Sequence, residues 1–200
     1  STSRHLLVTA GPGTGKTFTL AGRLAAILAA GADPSKVAAI TFTVKAADEM
    51  RDRLAASVGQ AGRGVFVGTF HQFCLNGLRQ GAPELSVVGP EDRERLMRRL
   101  YPGMGATERN RLAEAAADSF RLPADMPPPA LQSYLDELRR LKAIDLDAVI
   151  PEFVRRLASD AGLRRQVLGS LEYLFVDEFQ DLNESQFALV DILAETARVF

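Results

Sequence analysis

The sequence has little of the chemistry that builds disulfide-bonded or metal-stabilised proteins. Its 200 residues include one cysteine, Cys74, and two histidines, His5 and His71. A single cysteine cannot form an internal disulfide, and these three side chains cannot complete an ordinary structural zinc site. We therefore expect a reducing, cytoplasmic setting for the chain.

Long hydrophobic runs are missing as well. No apolar stretch reaches the roughly 18 residues that a membrane-spanning helix requires. The opening STSRHLLV is too short and too polar at first for a signal peptide. The sequence thus predicts no membrane partner. Because it begins without Met, we expect it to be a piece of a longer protein.

An excess of positive charge is also absent. The chain carries 24 basic and 25 acidic residues, for a net charge of −1 and an isoelectric point near 6.2. This balance argues against a protein that binds nucleic acid through bulk basic charge, so such a contact would need a local patch or groove. Most of the basic residues are arginines, so each lysine is a stronger candidate for a specific role. The lysines are Lys16, Lys36, Lys45 and Lys142.

Short apolar strands alternate with helical patterns at both ends of the chain. Strands are predicted at 5–10, 37–43, 65–69, 173–177 and 198–200. This alternation predicts an α/β fold whose parallel sheet is covered by helices on both faces. The middle of the chain shows only helical patterns, at 90–101, 107–120, 129–142, 146–158 and 161–169. We therefore predict a sheet domain formed by 1–82 and 170–200, with an all-helical insertion at 83–169.

The stretch TAGPGTGKTFTL joins the first strand to the first helix. Small residues let backbone N–H groups surround a phosphate, and the helix N-terminus adds partial positive charge. Lys16 can reach the β- and γ-phosphates of ATP, and the Thr17 hydroxyl can coordinate Mg²⁺. The alternative is a glycine-rich turn without a ligand, but Gly-Lys-Thr stands at the P-loop offset. The predicted nucleotide-binding residues are Ala10, Gly11, Pro12, Gly13, Thr14, Gly15, Lys16, Thr17 and Phe18.

Two adjacent acids end the apolar run LFVDEFQD. Asp177 is placed to hold Mg²⁺, and Glu178 to orient and deprotonate the attacking water. The alternative is a solvated strand end. A kinase of small metabolites is less favoured, because it must suppress attack by water. The sequence therefore predicts a hydrolase of nucleoside triphosphates.

Four motifs in order give the chain a family resemblance. AGPGTGKT and VDEFQD resemble motifs I and II of the UvrD/Rep-type superfamily 1 DNA helicases, ITFTVKAADEMRDRL resembles motif Ia, and VGTFHQF resembles motif Ib. The resemblance implies a RecA-like ATP-binding domain 1A (1–82 and 170–200) with an inserted subdomain 1B (83–169). It also implies ATP- and Mg²⁺-dependent translocation on single-stranded DNA or a single-strand/duplex junction, typically 3′ to 5′, in repair or recombination.

Carried over to this chain, the motifs imply catalytic roles for Lys16 and Glu178, and a γ-phosphate sensor at Gln180. The implied metal ligands are Thr17 and Asp177. The residues implied to line the DNA track are Phe42, Thr43, Lys45, Thr69, Phe70 and His71. Each of these roles has an alternative. Phe42 and Phe70 could pack in the core, His71 could form a local hydrogen bond, and Lys45 could be a solvated surface residue.

The sequence also departs from the family pattern. Val44 replaces the usual Asn of motif Ia, and the segment between motifs Ib and II is short. The second motor domain, with its arginine fingers, is missing from the 200 residues, so we expect them alone to hydrolyse ATP weakly or not at all. Two alternatives stay open: the motor part of a RecB/AddA-like helicase–nuclease, and a nucleotide-dependent DNA-binding module that does not unwind.

Overall fold

The computed structural model describes residues 5–9, 15–120 and 127–200. The helices in this part of the chain are α1 Lys16–Ala29, α2 Val44–Val58, α3 Phe70–Gly81, α4 Pro90–Leu100, α5 Ala106–Ser119, α6 Gln132–Arg140, α7 Val149–Ser159, α8 Ala161–Gly169 and α9 Glu184–Ala194. The strands are β1 Val37–Thr41, β2 Phe66–Thr69, β3 Ser86–Val88, β4 Ala143–Asp145, β5 Tyr173–Val176 and β6 Arg198–Val199. Within the described residues, no helix is long and apolar enough to cross a membrane.

The chain divides into two compact units, one formed by Ser1–Phe73 with Leu157–Phe200 and the other by Cys74–Arg156. The first unit contains a parallel sheet of four strands in the order β2-β1-β5-β6. All five residues of β1 are buried, as expected for a central parallel strand covered on both faces. The predicted α/β fold with a parallel sheet is confirmed.

The core of the first unit explains why α1 and α2 form where they do. Leu24, Ile27 and Leu28 recur at helical spacing along α1 and are buried together with Met50 and Leu54 of α2. Val37 and Ala39, two residues apart on β1, join the same cluster. Because alternate strand residues face one side of a sheet, this cluster fixes α1 and α2 to one sheet face. The start of α1 is thereby held near the sheet edge where the parallel strands end.

The predicted strand at 5–10 is wrong over its described residues, 5–9. This segment has no strand hydrogen-bond ladder, and Leu7 and Val8 are exposed. It lies beside β6, where the N–H of Leu6 donates to the carbonyl of Val199 at 2.9 Å. The N–H of Val199 donates to Nδ1 of His5 at 3.4 Å. Since a side chain takes this amide, the second backbone bond that would begin a ladder is not made.

The second unit is helical but contains two short strands, which corrects the prediction of an all-helical insertion. β3 and β4 pair in parallel, with Ser86 opposite Ala143 and Val88 opposite Asp145. Each strand has three residues, too few for an alternating hydrophobic pattern to stand out in the sequence. The predicted helices of this region are confirmed, with bounds that differ by a few residues. The core of this unit is formed by Val88, Met97, Leu112, Ala116, Phe120, Leu131, Tyr134, Leu138 and Ala148.

A buried charged cluster joins the elements of the second unit. The Arg93 guanidinium of α4 donates through Nε and Nη2 to both carboxylate oxygens of Asp145 at 2.8 and 2.6 Å, and also donates to Asp147. The hydroxyl of Tyr134 donates to Oδ2 of Asp145 at 2.6 Å. Arg93 is 7% exposed and Asp145 is fully buried. The cluster therefore fixes α4 and α6 to β4 through bonds that satisfy a buried charge.

Candidate nucleotide-binding and DNA-binding site

The end of α1 that is predicted to bind phosphate begins at Gly15. This residue has φ of +87°, in the left-handed region where glycine avoids a steric penalty. The carbonyl of Gly15 accepts the N–H of Thr19 at 2.9 Å, which closes the first turn of α1. The amides of that first turn have no carbonyl partner within a helix, and no acidic residue occupies the turn. An anion can therefore bind here, although Ala10, Gly11, Pro12, Gly13 and Thr14 lie outside the described residues.

The acids follow β5 at an unusual backbone turn. The N–H of Asp177 donates to the carbonyl of Ile40 at 3.0 Å, which extends the sheet bonding by one residue. Glu178 has φ of +51°, uncommon for a residue other than glycine, and its N–H donates to Oδ1 of Asp177 at 3.1 Å. The turn continues as a short 3₁₀ helix, Phe179–Asp181. Asp177 is thus buried at the strand end, while Glu178 turns back towards α1.

Lys16 and Glu178 form an ion pair, with 2.7 Å between Nζ and Oε2. The same Oε2 accepts a hydrogen bond from Nε2 of Gln180. Nε2 of Gln180 also lies 3.4 Å from Oδ2 of Asp181. The bond to Glu178 raises the pKa of Lys16. The bond from Lys16, followed by the bond from Gln180, lowers the pKa of Glu178. Three predicted catalytic residues thus lie in direct contact, and both charges of the ion pair are favoured.

Thr17 and Asp177 form the second contact between α1 and the end of β5. The Thr17 hydroxyl donates to Oδ2 of Asp177 at 3.3 Å, and Asp177 is 8% exposed. Mg²⁺ binds through oxygen ligands, commonly one or two protein oxygens together with substrate phosphates. A hydroxyl and a carboxylate oxygen at this separation, beside the N-terminus of α1, fit that requirement. Across the described residues there is no group of three or more His, Cys, Asp or Glu that could hold a metal unaided.

A cavity of about 750 Å³ lies beside the Lys16–Glu178 pair. Its lining includes Thr19 and Arg23 of α1, and Phe200, whose ring centroid lies 5.1 Å from the Arg23 guanidinium carbon. Pockets that bind small molecules in proteins commonly have volumes of about 300–1,000 Å³. Phe18, the last predicted nucleotide-binding residue, is 73% exposed at the start of α1. There is therefore room for a ligand larger than a phosphate group next to the predicted catalytic residues.

The predicted DNA-contacting residues follow the ends of two neighbouring strands. Thr41 at the end of β1 pairs in register with Thr69 at the end of β2. The Thr43 hydroxyl accepts the N–H of Ala46 at 3.1 Å and caps α2, and Lys45 is exposed in the first turn of that helix. The N-termini of α2 and α3 thus begin at the same sheet edge. His71 is half-buried in the first turn of α3.

The two predicted stacking aromatics differ in exposure. Phe70 is 1% exposed, and its ring packs edge-on against Phe42 with 5.7 Å between centroids. Phe42 is half-buried. The prediction that Phe70 offers its ring to a base is not supported, because a buried ring cannot stack on a ligand without moving. Core packing, the alternative, describes Phe70, whereas Phe42 retains some exposed surface.

One polar residue at this edge was missed by the sequence reasoning. Gln72 accepts the N–H of Thr69 on Oε1 at 2.9 Å and donates its own N–H to Oγ1 of Thr69 at 3.3 Å. The signal was present in the sequence, because Thr-x-x-Gln is the signature of a helix capping box.

A parallel sheet, a Gly-Lys-Thr helix start and two carboxylates at the end of a neighbouring strand define a P-loop nucleotide-binding domain. The chain belongs to the family described as the UvrD/REP helicase N-terminal domain, whose profile matches residues 1–119 and 124–200. The family resemblance inferred from the four motifs is thus confirmed.

Curated relatives agree with this assignment. The ATP-dependent DNA helicase PcrA of Staphylococcus aureus strain Mu50 is 29% identical over 219 aligned residues, which include 97% of this chain. The protein of the same name from Staphylococcus epidermidis strain RP62A is 28% identical over 221 aligned residues, again covering 97% of this chain. The chain spans about 30% of the length of these relatives.

Proposed function

We propose that the chain is the N-terminal ATPase half of an ATP-dependent DNA helicase or translocase. It would act on single-stranded DNA, with 3′ to 5′ movement, and couple ATP hydrolysis to unwinding in repair or recombination. The observation that carries the proposal is the pair of contacts between the start of α1 and the end of β5, Lys16 with Glu178 and Thr17 with Asp177. The names of the relatives, which are ATP-dependent DNA helicases, support it.

The nucleotide binds at the start of α1. The amides of the first turn of α1 and the Lys16 ammonium bind the phosphates of ATP, since both present positive charge at one place. Thr17 and Asp177 hold Mg²⁺, which when bound neutralises developing phosphate charge. Lys16 and Glu178 neutralise each other in their ion pair. When phosphate oxygens draw Lys16 away, the Glu178 carboxylate becomes available to accept a proton from water.

Gln180 couples Glu178, the proposed general base, to the second motor domain. Its amide already bonds to Glu178 and lies near Asp181, so a change in the Glu178 position alters the bonding of Gln180. Gln180 is exposed and can therefore reach a ligand or a second domain. This arrangement supports the role of a γ-phosphate sensor.

Single-stranded DNA binds at the sheet edge where β1 and β2 end. The positive ends of α2 and α3 stand side by side after β1 and β2, and helix N-termini are suited to bind backbone phosphates. Thr43, Lys45 and His71 lie in or next to the first turns of these helices, and Phe42 is the aromatic with exposed surface. A local edge of this kind requires no excess of basic residues, in keeping with the net charge of −1.

The proposal also assigns the domains. Segments 1–82 and 170–200 form domain 1A, 83–169 forms subdomain 1B, and a C-terminal motor domain of the same protein completes the enzyme. An arginine finger supplied by another domain raises the rate about 10³–10⁵-fold in related phosphoryl-transfer enzymes. We therefore expect the 200 residues alone to turn over ATP at least about 10³-fold more slowly than the intact protein. A coupled phosphate-release assay on both would measure this, and equal rates would contradict it.

The decisive experiment compares two lysines of the intact protein. Lys16 and Lys36 each pair with a glutamate, at 2.7 and 2.8 Å, but Lys36 lies at the opposite ends of the strands. Lys16→Ala should abolish DNA-stimulated ATP hydrolysis and displacement of a strand from a partial duplex with a 3′ overhang. Lys36→Ala should leave both activities intact.

Three outcomes would count against the proposal. Hydrolysis and unwinding that survive Lys16→Ala would refute the nucleotide site. Hydrolysis that depends on Lys16 but never yields displaced strand would indicate a nucleotide-dependent DNA-binding module. Unwinding that requires a 5′ overhang would refute the proposed direction.

A further inference from the structure

The side-chain amide of Gln180 lies between two carboxylates. Its nitrogen, Nε2, donates to Oε2 of Glu178 and, over 3.4 Å, to Oδ2 of Asp181. An amide nitrogen carries two N–H donors, and an ionised carboxylate only accepts. The two carboxylates therefore use both donors, and they require that the nitrogen of Gln180, rather than its oxygen, faces them.

The side-chain oxygen of Gln180 is the polar atom left for a ligand. Within the described part of the chain, Oε1 of Gln180 accepts no hydrogen bond, and the residue is exposed on the wall of the cavity beside the Lys16–Glu178 pair. An amide oxygen accepts hydrogen bonds and cannot donate them. It therefore cannot bond to a phosphate oxygen, which is an acceptor as well, but it can accept a hydrogen bond from water.

The backbone holds Asp181 in place as an acceptor. Asp181 ends the short 3₁₀ helix that follows Glu178, and its N–H donates to the carbonyl of Glu178 at 2.9 Å. Two residues later Asn183 caps α9 through a capping box with Gln186. The carboxylate of Asp181 is thus fixed between a strand end and a helix start, which limits the freedom of the Gln180 amide that it binds.

We propose that Asp181 is a positioning residue for Gln180 and that Gln180 orients the attacking water through Oε1. The inference rests on the proposed function, in which Glu178 is the general base. The water donates one O–H to Glu178 and the other to Oε1 of Gln180, since these two side chains are bonded to each other. Orientation of the attacking water by a glutamine is a known device of nucleotide hydrolysis.

The reaction then proceeds by one displacement. The water oxygen forms a bond to the γ-phosphorus, and its proton passes to the Glu178 carboxylate. The bond between the γ-phosphorus and the β–γ bridging oxygen breaks, which leaves ADP and phosphate. The sensor role of Gln180 is thereby refined, because its oxygen detects the γ-phosphate through the water that attacks it, without a direct bond to a phosphate oxygen.

Two substitutions of Asp181 test the positioning role in the intact protein. Asp181→Asn and Asp181→Ala remove the same charge, but asparagine keeps an oxygen that can accept the Gln180 N–H. With saturating ATP and oligo(dT), Asp181→Ala should lower the single-turnover hydrolysis rate about tenfold, as loss of one ordinary hydrogen bond would, whereas Asp181→Asn should retain most of the rate. Equal rates for the two variants would overturn the positioning role. Asp191→Ala, at an exposed residue of α9, is the control for loss of charge and should leave the rate unchanged.

Nucleotide affinity separates the acceptor role of Gln180 from a direct bond to phosphate. Gln180→Ala should lower the single-turnover rate about 10²-fold, as misplacement of a reacting group does, while the Kd values for ADP and for a non-hydrolysable ATP analogue stay unchanged. Weaker binding of the analogue with unchanged binding of ADP would show a bond to the γ-phosphate and overturn the inference, as would an unchanged rate. A wild-type protein without DNA-stimulated hydrolysis would instead refute the proposed function, together with this inference.

Discussion

Nζ of Lys16 lies 2.7 Å from Oε2 of Glu178, and this contact joins the start of α1 to the acids that follow β5. The residues are 162 positions apart in the chain. The lysine that would bind phosphate and the carboxylate that would activate water therefore neutralise each other in this pair. Each is available for its own role only when the other is released.

Lys16→Ala should raise the pKa of Glu178 towards the ordinary value of a glutamate. The folded-state pKa of Glu178 is lowered, so the favourable interaction is present above the ordinary pKa and is lost as pH falls through the lowered value. Carbon-13 NMR of labelled glutamate side chains in the nucleotide-free protein would follow the titration. Lys36→Ala is the control, since it should leave the Glu178 resonance unmoved.

Glu178→Gln should slow hydrolysis while it strengthens nucleotide binding. Loss of a positioned general base reduces rates by about 10²–10⁴-fold. Binding should improve because Lys16 loses an internal anion that competes with phosphate. Single-turnover hydrolysis and titration with a fluorescent ATP analogue measure the two effects. Glu172→Gln, which breaks the equivalent pair with Lys36, should change neither; weaker nucleotide binding by Glu178→Gln would contradict the competition.

The sequence predicted those parts of the site that depend on local pattern. Gly15, Lys16 and Thr17 stand at a helix start because the left-handed glycine and the periodic apolar residues of α1 are encoded within a few positions. The acids at 177–178 follow a recognisable apolar strand. The direct partner of Lys16 could not be predicted in the same way, because it depends on how distant segments pack in three dimensions.

Some features of the fold could not be predicted, for reasons that differ. Residues 5–9 have the composition of a strand, but His5 takes an amide that a ladder would need. Arg93 has a charged side chain, yet it shares a helix face with Met97 and Leu100 at spacings of four and seven residues. That spacing favours burial, and the carboxylate of Asp145, 52 residues away, makes burial of the charge possible.

Asp145→Ala should strongly destabilise the second unit. Removing one partner of a buried ion pair costs about 3–5 kcal/mol, because the other charge stays buried without compensation. Here Arg93 would lose both bonds to Asp145, and Tyr134 would lose its acceptor. Urea unfolding of the intact protein, followed by a probe in this unit, measures the loss. Tyr134→Phe removes one of these bonds and should cost about 1 kcal/mol.

A pair of exposed residues on the same helix provides the control for this cluster. Arg95 pairs with Asp92 three residues away, and both side chains are more than half exposed. Exposed pairs contribute about 0–1 kcal/mol, so Asp92→Ala should leave the unfolding midpoint nearly unchanged. Similar losses for Asp145→Ala and Asp92→Ala would show that burial does not determine the strength of the Arg93 cluster.

Two helical glycines should respond in opposite directions to alanine. A Cβ at Gly22 in α1 would meet nothing within 4 Å, so Gly22→Ala should stabilise the protein by about 0.5–1 kcal/mol through helix propensity. A Cβ at Gly77 in α3 would overlap the Phe153 ring. Gly77→Ala should destabilise the protein, because overpacking costs about 1–3 kcal/mol and the propensity gain offsets at most about 1 kcal/mol. The denaturant midpoint at constant slope measures both changes.

Phe153→Leu should make Gly77→Ala less harmful, since the smaller side chain removes the ring that the new methyl group would strike. An equally large loss of stability in both backgrounds would show that this contact is not the cause.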